Sequence, residues 1–389
     1  MYFDGACKDM TERDVIIIGA GPSGLALAVS LQAQSIPFRI LDKKACAGGA
    51  YNDIYANMRL ASPARYVSLP GLPLQHDKEY IQAGEYISYL KRYAQHFELR
   101  IEAAEVKRLT QKFRPDASLS EFSLDYRRPL EADPGGGEVL PSHAYQVVLA
   151  SGMFDSPRYS AEVAQARGGD GPCIIHAHDW RGVDEWLGKR VLLVGSSTSA
   201  VEIAETFADA GQLILVSSRH RRFNSIPQRL LGRDIHDLLV PLAKLPTWLL
   251  THHCRHYYEN DEHPVSEPAT HETLRRFLDK GLIRLTAAIE SISGKRVYFK
   301  NGDSDEFDVI ICATGYRFDY SYIQAGASQA SLLSSFKRGE SRLWPGLYRM
   351  GKACVFGRPS QFIWGIAHDA PLMAELITQR WRRIWKNPS

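Results

Sequence analysis

Apolar residues along this chain fall into short unbroken runs that end on glycine, and these runs predict its parallel strands. Val15 to Ile18 is the first, followed by Gly19, Gly21 and Gly24 and then an apolar helical stretch; Pro37 to Leu41 is the second. Runs of this length bounded by turn residues suit strands buried on both faces. The arrangement returns at RVLLVGSSTSA, residues 190 to 200, with a helix predicted over Val201 to Ala210 and a strand over Leu213 to Val216. Val147 to Gly152 and Asp308 to Tyr316 each place a further buried strand before a small-residue turn.

Other stretches carry other periods. Glu79 to Phe97 sets Tyr86, Leu90, Tyr93 and Phe97 at helical spacing, which predicts a helix with a core face. Leu99 to Ile101, Glu121 to Tyr126 and Tyr145 to Ala150 read as short strands, with Asp133 to Gly137 as the break between hairpin arms. Residues 43 to 75 show little periodicity and many turn residues, a wrapped loop expected to touch a ligand. Ile226 to Pro264 carries leucines and Trp248 on helices broken by Pro241 and Pro246, a candidate substrate entrance or an ordinary helical excursion.

Composition narrows the partners. A net charge of +3 on 389 residues, with no basic stretch interleaved with aromatics, argues against nucleic acid. Six cysteines without a CxxC, a polar start without an apolar core and no apolar run of membrane-spanning length predict a cytoplasmic chain with free thiols, no transmembrane segment and a small-molecule partner. His252, His253 and His256 lack a Cys, Asp or Glu at ligand spacing, so no metal is expected.

The glycine turns carry the candidate chemistry. In Gly19-Ala20-Gly21-Pro22-Ser23-Gly24, the first glycine permits a tight turn, Gly21 lets backbone approach a pyrophosphate, and Gly24 lets helix and strand pack closely. Asp42, about 20 residues on, is placed for a ribose 2′-OH, with Lys43 beside it. Gly49 and Tyr51, Arg59, Val106, Ser151 and Gly152, and Thr314 and Gly315 are the other contacts expected around this dinucleotide. The second turn, Gly195-Ser196-Ser197-Thr198-Ser199-Ala200, has Ser197 in place of the middle glycine. Its second strand leads not to an acid but to Ser218, Arg219 and Arg221, hydroxyl and positive charge that suit a 2′-phosphate and favour NADPH over NADH.

Taken together, GAGPSG, Gly48-Gly49-x-Tyr51, Ala150-Ser151-Gly152, the second glycine turn and Ala313-Thr314-Gly315-Tyr316 resemble the two-dinucleotide class B flavoprotein monooxygenases, which include flavin-containing monooxygenases and the plant YUCCA enzymes. The resemblance covers nearly the whole chain. His176-x-x-x-Trp180 matches half of the monooxygenase signature, with Asp170 and Pro172 where its Phe and Gly would stand; Trp364 to Ala370, containing Asp369, is similar to the G-x-A-x-D-A of the YUCCA group.

The resemblance and the motif order imply an α/β chain of two Rossmann-like three-layer dinucleotide-binding domains. The FAD domain is discontinuous, residues 1–155 and 305–389, and the NADPH domain, 156–304, is inserted into it with a helical insert near 226–264. FAD and NADPH are the implied cofactors, and O2 and a small organic molecule the reactants, with oxygen passing through a flavin C4a-hydroperoxide. His176 and Trp180 are implied to hold NADP⁺ over the flavin; no residue is assigned as acid or base, and a homodimer is left open. A reductase passing electrons to a quinone or disulfide would share both turns, although Ser23 stands where a reactive Cys would be. A nucleotide sensor would not require two complete cofactor sites.

Overall fold

The computed structural model describes residues 14–55, 58–112, 120–130, 133–243, 269–271, 273–325, 329–353 and 355–385. Val15–Ile18 (β1) is buried because it has parallel partners on both sides. A glycine turn leads into Pro22–Gln32 (α1), where Pro22 presets the first helical turn and nearly every side chain is buried between the sheet and the C-terminal helix Ile363–Trp385. Phe38–Asp42 (β2) follows, with Ile17 opposite Ile40.

The predicted aromatic helix is Ala83–His96 (α2). Glu85 accepts the Gln82 backbone N–H at 2.8 Å, closing its first turn, and Tyr86, Tyr89, Leu90 and Tyr93 are buried. The tyrosine hydroxyls are put to use: Tyr89 donates to the Leu72 carbonyl at 2.7 Å and Tyr93 to that of Pro70 at 2.6 Å. These bonds hold the aperiodic loop against the core.

Ile101–Ala103 (β3) extends the first sheet, and the antiparallel layer Glu105–Lys112 (β4), Glu121–Leu130 (β5) and Asp133–Ala144 (β6) packs above it. The glycine-rich stretch from Asp133 to Gly137, expected as the break between hairpin arms, lies within β6: Asp133 faces Leu130, Glu138 faces Arg128, and the residues between them fall at an irregularity of the ladder. Gly137, at φ +125°, passes so close to β5 that a methyl there would lie 2.1 Å from the Arg128 carbonyl oxygen. Glycine is required there by the approach of a neighbouring strand. Val147–Leu149 (β7) completes the centre of the sheet, flanked by β1 and by Leu347–Arg349, both parallel to it. Strand order reverses at β1, with β2 on one side and β7 on the other, and this leaves a crevice beyond the strand ends.

The second sheet follows the short helix Ala161–Ala166 (α3). Cys173–His176 (β8), Val191–Val194 (β9) and Ile214–Ser217 (β10) run parallel with Ile283–Thr286 and Val309–Cys312, and Thr198–Asp209 (α4) packs on them. Val309–Cys312 lies between β8 and β9, so the chain is still in this sheet beyond the boundary expected at 305. The two strands of chain joining the sheets run side by side: the Arg158 N–H donates to Gly315 O at 3.0 Å and the Arg317 N–H to Ser156 O at 3.0 Å.

Of the leucine-rich segment, the structure describes a small hairpin, Arg229–Leu230 with Arg233–Asp234, and the helix His236–Ala243 (α5), which contains Pro241. Leu230, Leu231, Leu238 and Leu239 are exposed. Leu245, Trp248, Leu249, Leu250, His252, His253 and His256 lie outside the described residues. Among the described residues no helix is long and apolar enough to cross a membrane.

Candidate functional site

A cleft of about 500 Å³ opens at the strand reversal. Its walls include Gly19, Gly21, Pro22, Ser23, Asp42, Lys43, Gly49, Tyr51, Val106, Ser151 and Gly152, eleven of the residues picked out in the sequence. The three turn glycines serve different purposes. Gly19 sits at φ +112°, and a methyl there would lie 2.5 Å from the Ala150 carbonyl oxygen. One on Gly24 would lie 2.0 Å from the Gly19 carbonyl oxygen, so that glycine is needed for packing. A methyl on Gly21 would meet no protein atom within 4 Å, since that position faces the cleft.

Helix α1 begins at Gly21 with no side-chain cap and no acidic residue in its first turn, which leaves its amide end to an anion. Asp42 accepts the Ala20 N–H at 2.8 Å on one oxygen and the Lys44 N–H at 2.8 Å on the other. Burial raises its pKa while these two donors pull it back. Lys43 pairs with Asp155 at 3.1 Å across the rim of the cleft. The residues present thus suit a dinucleotide, with the diphosphate against Gly21 and a ribose hydroxyl near Asp42. Sequence reasoning missed Phe154, Tyr322, Gly351 and Ile363 in the walls. Gly351, at φ +74° directly after a strand, had a signal like that of Gly152.

The other picked residues lie away from these walls. His176 is fully buried; its Nδ1 accepts the His178 N–H at 3.0 Å, so Nε2 carries the proton and donates to the Gly315 carbonyl at 3.1 Å. It lies in a file of edge-on rings that leads from the cleft, Tyr51 to Phe154 at 5.8 Å, Phe154 to Tyr316 at 5.1 Å, Tyr316 to His176 at 4.9 Å and His176 to Tyr159 at 5.4 Å. Burial lowers the His176 pKa to about 4 from 6.5. The unfolded chain then binds the proton more readily, so this contribution to stability is complete above pH 6.5 and lost as pH falls toward 4. Thermal unfolding from pH 7 to pH 4 is expected to show a decline in wild type that is smaller in His176→Gln; parallel declines would refute it.

Trp180, implied to contact NADP⁺, is 6% exposed and packs against Phe207 with ring centroids 5.6 Å apart, inside the core of the second sheet. Asp369 is buried on the C-terminal helix with His368 Nδ1 at 3.1 Å. Arg59 lies with its guanidinium carbon 4.7 Å from the Tyr80 ring centroid. The Thr314 hydroxyl donates to the Arg158 carbonyl.

At the second turn Gly195 has φ +145°, and a methyl would lie 2.3 Å from the Ala313 carbonyl oxygen. Ser197 caps α4 by backbone alone, Thr198 and Ser199 open its first turn, and Ala200 is buried beneath it; Ser196 accepts the Asn224 N–H at 2.6 Å. Ser218 turns inward, accepting the Arg222 N–H at 3.1 Å, whereas Arg219 and Arg221 are exposed. The residues of this turn suit a second dinucleotide on the α4 N-terminus, with its far ribose toward the arginines. Among the described residues no group of three or more His, Cys, Asp or Glu could hold a metal.

Comparison with known proteins places this geometry in context. Residues 16–115 match the family model for pyridine nucleotide-disulphide oxidoreductases. A probable indole-3-pyruvate monooxygenase of Arabidopsis thaliana, YUCCA7, is 27% identical over 78% of this chain and 74% of its own. An uncharacterized CzcO-like oxidoreductase of Geobacillus kaustophilus is 26% identical over 92% of this chain and 96% of its own. A flavin-containing monooxygenase from Stenotrophomonas maltophilia superposes with a TM-score of 0.70 at 19% identity, covering 94% of this chain and 98% of that one, and so shares the fold. The resemblance to class B flavoprotein monooxygenases is borne out, as is the two-unit Rossmann-like α/β fold. The relatives that this chain resembles are named flavin-dependent monooxygenases and oxidoreductases.

Proposed function

We propose that this enzyme binds FAD and uses NADPH to insert one oxygen atom of O2 into a small organic metabolite at nitrogen, sulfur or a carbonyl. The observation that carries the reading is the repetition of one device. In each of two sheets a parallel strand ends in a glycine turn feeding a helix whose N-terminus has no side-chain cap, and the first turn opens on a cleft of about 500 Å³. We assign the first unit, with the chain that returns after Cys312, to FAD and the sheet between them to NADPH. FAD, when bound, supplies hydride acceptance and the reaction with oxygen.

The chain's own residues bind, orient and enclose. Gly21 and the α1 amides would take the diphosphate, Asp42 a ribose hydroxyl, and Tyr51 and Phe154 a wall that keeps water out. The missing CxxC, with Ser23 in the first turn, disfavours a disulfide reductase, and no acid or base is required of the protein beyond this enclosure.

The test is reduction by NADPH without oxygen, followed by air-saturated buffer. A transient flavin spectrum distinct from both the oxidised and reduced forms supports the oxygenase. Direct return to the oxidised spectrum, with rapid anaerobic reduction of a quinone, supports the reductase. Coenzyme choice is tested separately. Arg219→Ala, with Arg221→Ala as the alternative, is expected to raise the KM for NADPH roughly tenfold while sparing NADH, because a charge-assisted contact to the 2′-phosphate is lost. Equal use of both coenzymes by wild type refutes this.

A further inference from the structure

The segment after β10 does more than lead away from the second sheet: it reaches back and grips the first unit. Arg229 pairs with Glu79 at 2.6 Å, and Asp237 accepts from Arg65 at 2.7 Å and from the Tyr66 hydroxyl at 2.6 Å. At the centre is Asp234, whose side chain is fully buried. One of its oxygens accepts both the backbone N–H of His236, at 2.8 Å, and ring Nδ1, at 2.9 Å; the other accepts the Tyr80 hydroxyl. Burial opposes ionisation of Asp234, but the bonds from Tyr80 and His236 outweigh it and hold its carboxyl below the usual range.

The exposed pairs at the edge of this grip are weak, while the buried, fully hydrogen-bonded carboxylate is not replaceable by water. What Asp234 holds is the ring of Tyr80, and against that ring lies the Arg59 guanidinium. Asp234, Tyr80 and Arg59 thus run in a file from the grip into the first unit, beside the pairs that Arg229 and Asp237 make with Glu79, Arg65 and Tyr66.

We propose that Asp234 is a positioning residue: by holding Tyr80 at the buried centre of this grip it fixes the segment after β10 against the first unit and so sets where the second unit presents its nicotinamide to the flavin. This rests on the function proposed above. Tyr80→Phe is the sparing variant, since it keeps the ring under Arg59 and removes only the hydroxyl; Asp234→Asn removes the charge. With flavin-loaded protein, both are expected to raise amide hydrogen exchange over residues 59–66 and 229–237. Both should also slow anaerobic flavin reduction at saturating NADPH by about fivefold or more, with the half-saturating concentration moving less than about twofold. A purely structural role would move overall stability without that split. Wild-type exchange in those segments, or an unchanged limiting rate, overturns the proposal. If NADPH fails to reduce wild type, the proposed function falls, and the exchange measurement alone decides whether Asp234 holds the grip.

Discussion

Gly21→Ala is expected to give a folded but colourless protein. A methyl at that position touches no protein atom within 4 Å, so the fold has no reason to object. It does enter the space where the diphosphate would press against the α1 amides. Overpacking of this kind costs about 1–3 kcal/mol, roughly a ten- to hundredfold loss of flavin affinity, and more if the turn cannot shift. Gly24→Ala makes the contrast. Its methyl would lie 2.0 Å from the Gly19 carbonyl oxygen, so strand and helix must part and the protein itself should be destabilised. The ratio of flavin to protein absorbance, read beside the unfolding temperature of flavin-free protein, separates the two. A yellow Gly21→Ala with wild-type retention would refute the assignment of this turn to the diphosphate.

The second large effect is on stability. Trp180→Ala empties a site packed against Phe207 in the second core and should cost about 3–5 kcal/mol. Because the ring is not in the cleft walls, hydrogen peroxide released per NADPH consumed is expected to stay at the wild-type value. Urea unfolding and a peroxide assay decide it. More peroxide with no loss of stability would return Trp180 to the cofactor.

The difference between what could and could not be read from the sequence follows the range of the interactions. Gly19, Gly21, Gly24 and Asp42 were legible because strand, turn and helix are consecutive, so spacing alone specifies which atoms meet. The core face of α2 was legible for the same reason. Trp180 was not: a spacing from His176 says nothing of whether a ring faces a ligand or Phe207. Asp133 to Gly137 has every local mark of a turn, yet β6 already starts at Asp133 opposite Leu130, and the glycines are taken up in an irregularity of the ladder with β5. Asp308 to Tyr316 repeats the design of Val147 to Gly152, but the repeat could not reveal that Val309–Cys312 joins β8 and β9. Gly351 and Ile363 reach the cleft from more than 300 residues beyond β1, a distance over which one sequence carries no pairing information.

The paired connection between the sheets has a consequence for how such a chain could be assembled or taken apart. Pro157 and Tyr316 face each other across an antiparallel bridge, so the chain leaves the first unit and comes back through one doorway. An ancestral or engineered protein could gain or lose everything between those two residues without stretching the remainder, since the cut ends already lie within a peptide's reach. The two strands of the doorway are also joined by reciprocal backbone hydrogen bonds, which resist sliding past one another and permit bending across their common plane. The larger unit is thus a host with a single graft site, and the inserted unit is a passenger held a second time by the grip of Arg229, Asp234 and Asp237.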